Sequence, residues 1–252
     1  MGLAGKPRYH HPLILFTYTS SAQVYVNQNT DTQSRQTTRP PKIPQPGPVK
    51  TLYLIRHAQS EANAGGISKP ERDIALSPLG REQAQALVAR LPRSNHVYVS
   101  ELRRTHETAA PYCRAHGITP QVLPQLNEFS CLAFDRIRGM DGTARRPLAD
   151  AYWQRADPLE CTGAGADSFA AFNQRLSAFL AHYPQLEDGS LLFGHGIWIG
   201  LLAWRLLGFS AETAADMAAF RRFQTGLPMP NTAVWQLQGD SIASLRLRCL
   251  PG

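Results

Sequence analysis

Val49-Lys50-Thr51-Leu52-Tyr53-Leu54-Ile55-Arg56-His57 is the stretch on which the fold turns. Residues 49–55 are a short run rich in β-branched and aromatic side chains, which reads as a strand, and the run ends on Arg56-His57. Working outward, residues 77–91 read as a helix. Ser77 stands at the N-cap, Pro78 at the first helical position, and Leu79, Ala84, Leu87, Val88 and Leu91 keep helical spacing. Residues 96–99 read as a second strand. Residues 102–115 read as a second helix, kinked at Pro111 and closed by Gly117. In 168–183 the apolar residues Phe169, Phe172, Leu176, Phe179, Leu180 and Tyr183 form one helical stripe, assigned to the core. Residues 190–193 and 197–207 follow as strand and helix. Residues 232–237 and 242–248 read as a closing hairpin with Gly239-Asp240 at its turn. Alternating strands and helices place the chain in the α/β class, a sheet with helices on both faces.

The 252 residues suffice for a sizeable core. Residues 1–48 differ in texture from the rest. Residues 23–39 are rich in Gln, Asn, Thr and Ser, and 40–48 (PPKIPQPGP) form a proline-rich linker. This predicts a disordered N-terminal extension over 1–48 and one domain over 49–252. The short apolar run 12–16 does not fit a secretory signal, and no run approaches the ~20 residues of a membrane span. Of the net charge of +7, +5 falls in residues 1–50. A basic tail of this kind is a solvated segment, so neither nucleic acid nor membrane is expected as a partner. Cys113, Cys131, Cys161 and Cys249 show no CxxC pairing, which suits a reducing cytoplasm and argues against a zinc site. His10, His11, His96, His106, His116 and His182 form no HxxxH or HExxH pattern, so no metal is expected.

Ligands of open α/β sheets sit at the carboxyl ends of strands. Two predicted strands end there in a histidine, one as Arg56-His57 and one as Gly194-His195-Gly196. A third ends at Val99-Ser100, with Arg103-Arg104 in the first turn of the next helix, where free N–H groups attract anions. Arg56, an arginine at 103 or 104, and His195 can thus converge on one anion. Arginine suits phosphate because its planar fork donates two hydrogen bonds together.

These residues match a known pattern. Arg56-His57-Ala58-Gln59-Ser60-Glu61-Ala62-Asn63 resembles the RHG-x-[ST]-x-x-N signature of the histidine phosphatase (phosphoglycerate mutase-like) superfamily. Leu76 to Ala84 (LSPLGREQA), Ser100 to Ala109 (SELRRTHETA), Leu126-Asn127-Glu128, Phe193-Gly194-His195-Gly196 and Pro230-Asn231-Thr232 resemble its further motifs in order, across about residues 49–250. The chain departs at Ala58, a glycine in the signature, at Thr105, usually alanine, and at Phe129-Ser130-Cys131-Leu132, where G-x-W-E-G is common.

The resemblance implies a three-layer α/β/α sandwich with a mostly parallel central sheet. It also implies a cytoplasmic phosphatase that hydrolyses a small phosphorylated metabolite through a phosphohistidine, with no cofactor and no metal. It selects Arg104 rather than Arg103. His57 becomes the nucleophile, Arg56, Asn63, Arg104 and His195 the phosphate ligands, and Glu128 the proton donor. The arginines should lower the pKa of His57 and hold Glu128 ionised until a phosphate dianion raises it. Two other activities fit the same motifs, phosphoprotein or phosphohistidine phosphatase and phosphoglycerate mutase. A binding module without activity is a further alternative. Only 67 positions separate Glu128 from His195, short for a mutase cap. Residues 129–167, with Arg136, Arg138, Arg145, Arg146, Arg155, Phe134, Tyr152 and Trp153, are the expected specificity segment, suited to a second anionic group. Oligomeric state is left open.

Overall fold

The computed structural model describes residues 48–251. The expected disordered extension lies, save for residue 48, outside the described residues. The first strand, β1 (Lys50–Arg56), is followed by α1 (Pro78–Arg90), β2 (Val97–Val99), α2 (Arg103–His116) and β3 (Gln121–Val122). Next come a short α3 (Phe134–Ile137), α4 (Gly142–Arg155), α5 (Phe169–His182), β4 (Leu191–Gly194) and α6 (Gly196–Leu206). The chain closes with α7 (Ala214–Gly226), β5 (Val234–Gly239) and β6 (Arg246–Cys249). One sheet holds all six strands in the order β3-β2-β4-β1-β5-β6. The first four lie parallel, and β5 and β6 add an antiparallel edge.

The inner strands β1, β2 and β4 are apolar on both sides, as a sheet covered on both faces requires. Ile55, Val99, Leu191 and Phe193 pack with Leu87, Tyr112 and Cys113 of α1 and α2. Leu52, Leu54 and Leu192 point the other way, into a larger cluster with Phe172, Leu176 and Phe179 of α5 and with the buried face of α6. The aromatic stripe of α5 is therefore core, as its spacing predicts. Ser77 accepts the Gly80 N–H at 3.0 Å, Ser168 accepts that of Ala171 at 3.1 Å, and Gly117 ends α2 at φ 67°. No helix among the described residues is long and apolar enough to cross a membrane.

One local expectation is corrected. The hairpin does not turn at Gly239-Asp240. A 3-10 turn, Ile242–Ser244, intervenes, because the Ser244 hydroxyl accepts the N–H groups of Asp240 and Ser241, both at 3.1 Å. Helix α2 runs unbroken through Pro111. The segment 129–167 contains α3 and α4, with Asp141 capping α4 through the N–H groups of Thr143 and Ala144.

One glycine is dictated by close approach. A Cβ at Gly80 would stand 1.9 Å from the carbonyl oxygen of Gln59, two residues beyond His57. Neither backbone can yield without shifting α1 or the strand-end loop. Gly80→Ala is expected to cost about 3 kcal/mol, read as a lower urea midpoint at unchanged slope.

Candidate active site

Register brings the two histidines together. Arg56 of β1 stands opposite Gly194 of β4, and the His57 N–H donates to the Gly194 carbonyl at 2.9 Å. The rings of His57 and His195 lie 5.2 Å apart between centroids, tilted by 59°. On the other side of β4, Val99 of β2 stands opposite Phe193, which brings Ser100 and the first turn of α2 to the same edge. Three neighbouring parallel strands thus deliver Arg56-His57, Gly194-His195 and Ser100 with Arg104 to one place.

The tautomer of His57 follows from its neighbours. Its Nδ1 lies 2.7 Å from the Ala58 carbonyl, which can only accept, so Nδ1 carries the proton. The Arg104 Nε–H donates to Nε2 at 3.3 Å, which needs the lone pair there. Both partners demand a neutral ring with Nε2 as the free base. Burial, then the charge of Arg104, drives the His57 pKa well below the ordinary histidine value. The expected lowering by the arginines is present, but burial is its larger cause.

His195 is fully buried, and its pKa is likewise driven well down by burial and then by Arg104. Its Nε2 lies 2.8 Å from the Ser100 hydroxyl, while its Nδ1 has no partner. Ser100 also contacts the Thr105 hydroxyl at 3.0 Å and accepts the Leu102 N–H at 3.1 Å. The threonine that departs from the family pattern therefore anchors the serine that holds His195. Ala58, the other departure, is fully buried and packs its methyl among Leu76 and Ala84 beneath α1. The Ala58 N–H donates to the Thr108 hydroxyl at 3.0 Å, which ties the loop after β1 to α2.

The Arg56 guanidinium donates to the Met229 carbonyl, while its Nε is buried without a partner. Gly196 leaves it room, since a Cβ there would lie 3.2 Å from that Nε. Arg56 Nε and His195 Nδ1 are two of four buried side-chain nitrogen or oxygen atoms without a partner among the described residues. Such atoms are rare and call for an explanation.

Glu128 follows a 3-10 turn, Pro124–Leu126, and caps α6: its carboxylate accepts the N–H groups of Ile197, Trp198 and Phe129, each at 3.0 Å. Its pKa is raised. Burial outweighs the backbone hydrogen bonds and the charge of Arg104, which pull the other way. The expectation that arginines hold it ionised is corrected: burial dominates. Asn63 is exposed at the rim. Its Oδ1 accepts from the Ser60 N–H at 3.3 Å and from the Asn231 amide at 3.1 Å, and that same amide donates to the His57 carbonyl at 3.0 Å.

Arg104 is buried and holds Glu71 on its outer edge, Nη2 to the carboxylate at 2.6 Å and Nη1 to the Glu71 carbonyl at 3.2 Å. Arg103 points away, to Glu107 at 2.6 Å. Ser100, Glu71, Thr108 and Asn231 are contacts that the sequence reading did not assign, though Ser100, Thr108 and Asn231 lie inside quoted motifs.

The specificity segment is also corrected. Tyr152 and Trp153 are buried against Phe129 and Phe169, so they are core. Arg155 pairs with Glu160 and Arg138 with Asp135, at 2.6 and 2.7 Å. Arg145 bonds the carbonyls of Ala62 and Gly66 at 2.7 and 3.2 Å and straps the loop that follows His57. Among the described residues no group of three or more His, Cys, Asp or Glu is placed to hold a metal.

Residues 52–235 match the profile described as "Histidine phosphatase superfamily (branch 1)". The chain belongs to this superfamily. It is 30% identical to the adenosylcobalamin/alpha-ribazole phosphatase of Escherichia coli (strain K12) over 171 residues, 64% of this chain and 81% of that protein. It is also 30% identical, over 169 residues, to the probable phosphoglycerate mutase GpmB of Photorhabdus laumondii, 64% of this chain and 76% of that protein. Among solved structures, a mycobacterial glucosyl-3-phosphoglycerate phosphatase superposes with a TM-score of 0.58 at 25% identity, covering 80% of this chain and 97% of that one. The three-layer fold that the motifs imply is the fold of this chain.

Proposed function

We propose that this histidine phosphatase hydrolyses phosphomonoesters of small metabolites by passing the phosphoryl group to His57 and then to water. The observation that carries this is the neutral His57 ring, its Nε2 lone pair turned to the Arg104 Nε–H, in one site with two unpartnered buried nitrogens, Arg56 Nε and His195 Nδ1. Phosphoryl transfer depends mainly on positioning and on stabilising charge at the equatorial oxygens. Arg56, Arg104, His195 and Asn63 are assigned to those oxygens. If the Ser100 hydroxyl donates to Nε2 of His195, its Nδ1–H is free to donate to phosphate. In the first step a bond forms from Nε2 to phosphorus and the ester P–O bond breaks, with Glu128 giving its proton to the leaving oxygen. In the second, water attacks phosphorus, Glu128 takes its proton, and His57 leaves as free base.

The raised pKa of Glu128 supports its role as donor, and the lowered pKa of His57 supports its role as nucleophile. Together they predict a bell-shaped kcat/KM profile. Activity rises with pH as His57 loses its proton, below the ordinary histidine value. It falls at higher pH as Glu128 loses its own, above the ordinary carboxylate value. Glu128→Gln should remove the alkaline limb and lower kcat, and an alkaline limb that persists would reject the assignment.

The test of the function is a phosphate-release screen over a panel of phosphorylated metabolites, with radiolabelled phosphoenzyme trapped alongside. A label stable in base and labile in acid is expected, and a phosphoserine or acyl-phosphate signal would sink the proposal. Similarity to GpmB favours mutase as a second reading, and it predicts faster discharge of phosphoenzyme to glycerate than to water. The four free cysteines support a cytoplasmic setting.

A further inference from the structure

We propose that Glu71 sets the affinity and charge selectivity of this site by competing with the phosphoryl group for Arg104. The inference rests on the proposed phosphate seat.

Glu71 opens a 3-10 turn, Glu71–Asp73, between the nucleophile loop and α1. Arg104 engages all three of its guanidinium nitrogens. Nε faces His57, while Nη1 and Nη2 face the carbonyl and carboxylate of Glu71. A phosphoryl group on Nε2 of His57 needs donors from the same fork, and Glu71 already holds its two outer ones. The two partners differ in freedom. The Arg104 side chain is 5% exposed and fixed, whereas that of Glu71 is 35% exposed and can swing into water. Phosphate therefore displaces the carboxylate, and the carboxylate returns as phosphate leaves. Behind burial, the larger cause, the Glu71 charge also adds to the upward pKa shifts of Glu128 and Cys131.

Two consequences follow. Orthophosphate, the product, binds more weakly than it would to an unopposed arginine. A substrate with a second anion beside the phosphoryl group meets a like charge and is disfavoured. The preferred class is then a phosphomonoester whose neighbouring groups are neutral, as in a sugar or nucleoside phosphate.

The test titrates orthophosphate into the full chain by calorimetry, wild type against Glu71→Gln, which keeps the shape and removes the charge. Orthophosphate should bind about tenfold tighter to the variant. The ratio of kcat/KM for glycerol 3-phosphate over 3-phosphoglycerate should fall by about the same factor, because the carboxylate is no longer repelled. Glu71→Asp, with its charge kept and its reach shortened, should lie between the two. If Glu71 merely holds Arg104 in place, Glu71→Gln will bind orthophosphate equally or more weakly, and the proposal is overturned. If wild type turns over neither ester while Glu71→Gln still binds orthophosphate more tightly, the phosphatase proposal fails and the competition stands.

Discussion

His57→Ala is expected to lower kcat by about four orders of magnitude or more and to abolish the trapped phosphoenzyme. The size follows from what is lost. No other free imidazole base stands at the end of β1, and His195, 5.2 Å away, has its Nε2 on Ser100. Water alone would have to attack phosphorus directly, without the N–P bond that divides the reaction in two. His195→Ala separates nucleophile from ligand. It removes one buried donor from the equatorial oxygens, so kcat should fall by about 10²–10³, yet a base-stable label should still form. Phosphate release and phosphoenzyme trapping on the same variants check both outcomes. A phosphoenzyme in His57→Ala would place the nucleophile elsewhere.

The sequence displays this much of the site because its ligands stand at strand ends. Where Leu52, Leu54 and Ile55 alternate between two buried faces, the strand is marked by composition, and the next residue must lie at the sheet edge. The same holds for Phe193 and His195. What stays hidden is what requires the chain to return from a distance. Glu71 belongs to no motif. Only the path of residues 64–76 across the mouth brings it to Arg104, and nothing in the local pattern announces a carboxylate there. Helix α4 is masked by Gly142 and Pro147, residues that ordinarily interrupt helices, although Asp141 provides a cap. Helix α7 buries only Met217 and Phe220, too narrow a stripe to stand out, although its Thr213-x-x-Asp216 capping box was legible. The arginines of 129–167 read as an anion grip only while their partners are unknown. Glu160, Asp135 and two main-chain carbonyls claim Arg155, Arg138 and Arg145, three of the five.

Arg104→Ala should lower kcat/KM by about 10³, close to the largest effect of any single ligand. Arg104→Lys should recover little of it, since an ammonium is a point charge that cannot donate side by side to His57 and to an equatorial oxygen. The pH profile gives a second readout. Arg104 is the larger of the two arginine charges that lower the His57 pKa, and burial is larger than both. Without Arg104 the ring binds its proton more readily, so the acid limb of kcat/KM should move to higher pH. It should stop short of the ordinary histidine value, because the ring stays buried. A third readout concerns Glu71. Removing Arg104 frees a carboxylate that was held at 2.6 Å and leaves it beside the incoming phosphate. Part of the loss in Arg104→Ala is therefore repulsion rather than a missing donor. The double variant Arg104→Ala/Glu71→Gln should recover over Arg104→Ala alone clearly less than the tenfold that Glu71→Gln gains with Arg104 present. The cycle tests coupling through the shared fork: if Glu71→Gln has the same effect on orthophosphate affinity with and without Arg104, the two side chains do not compete for one anion.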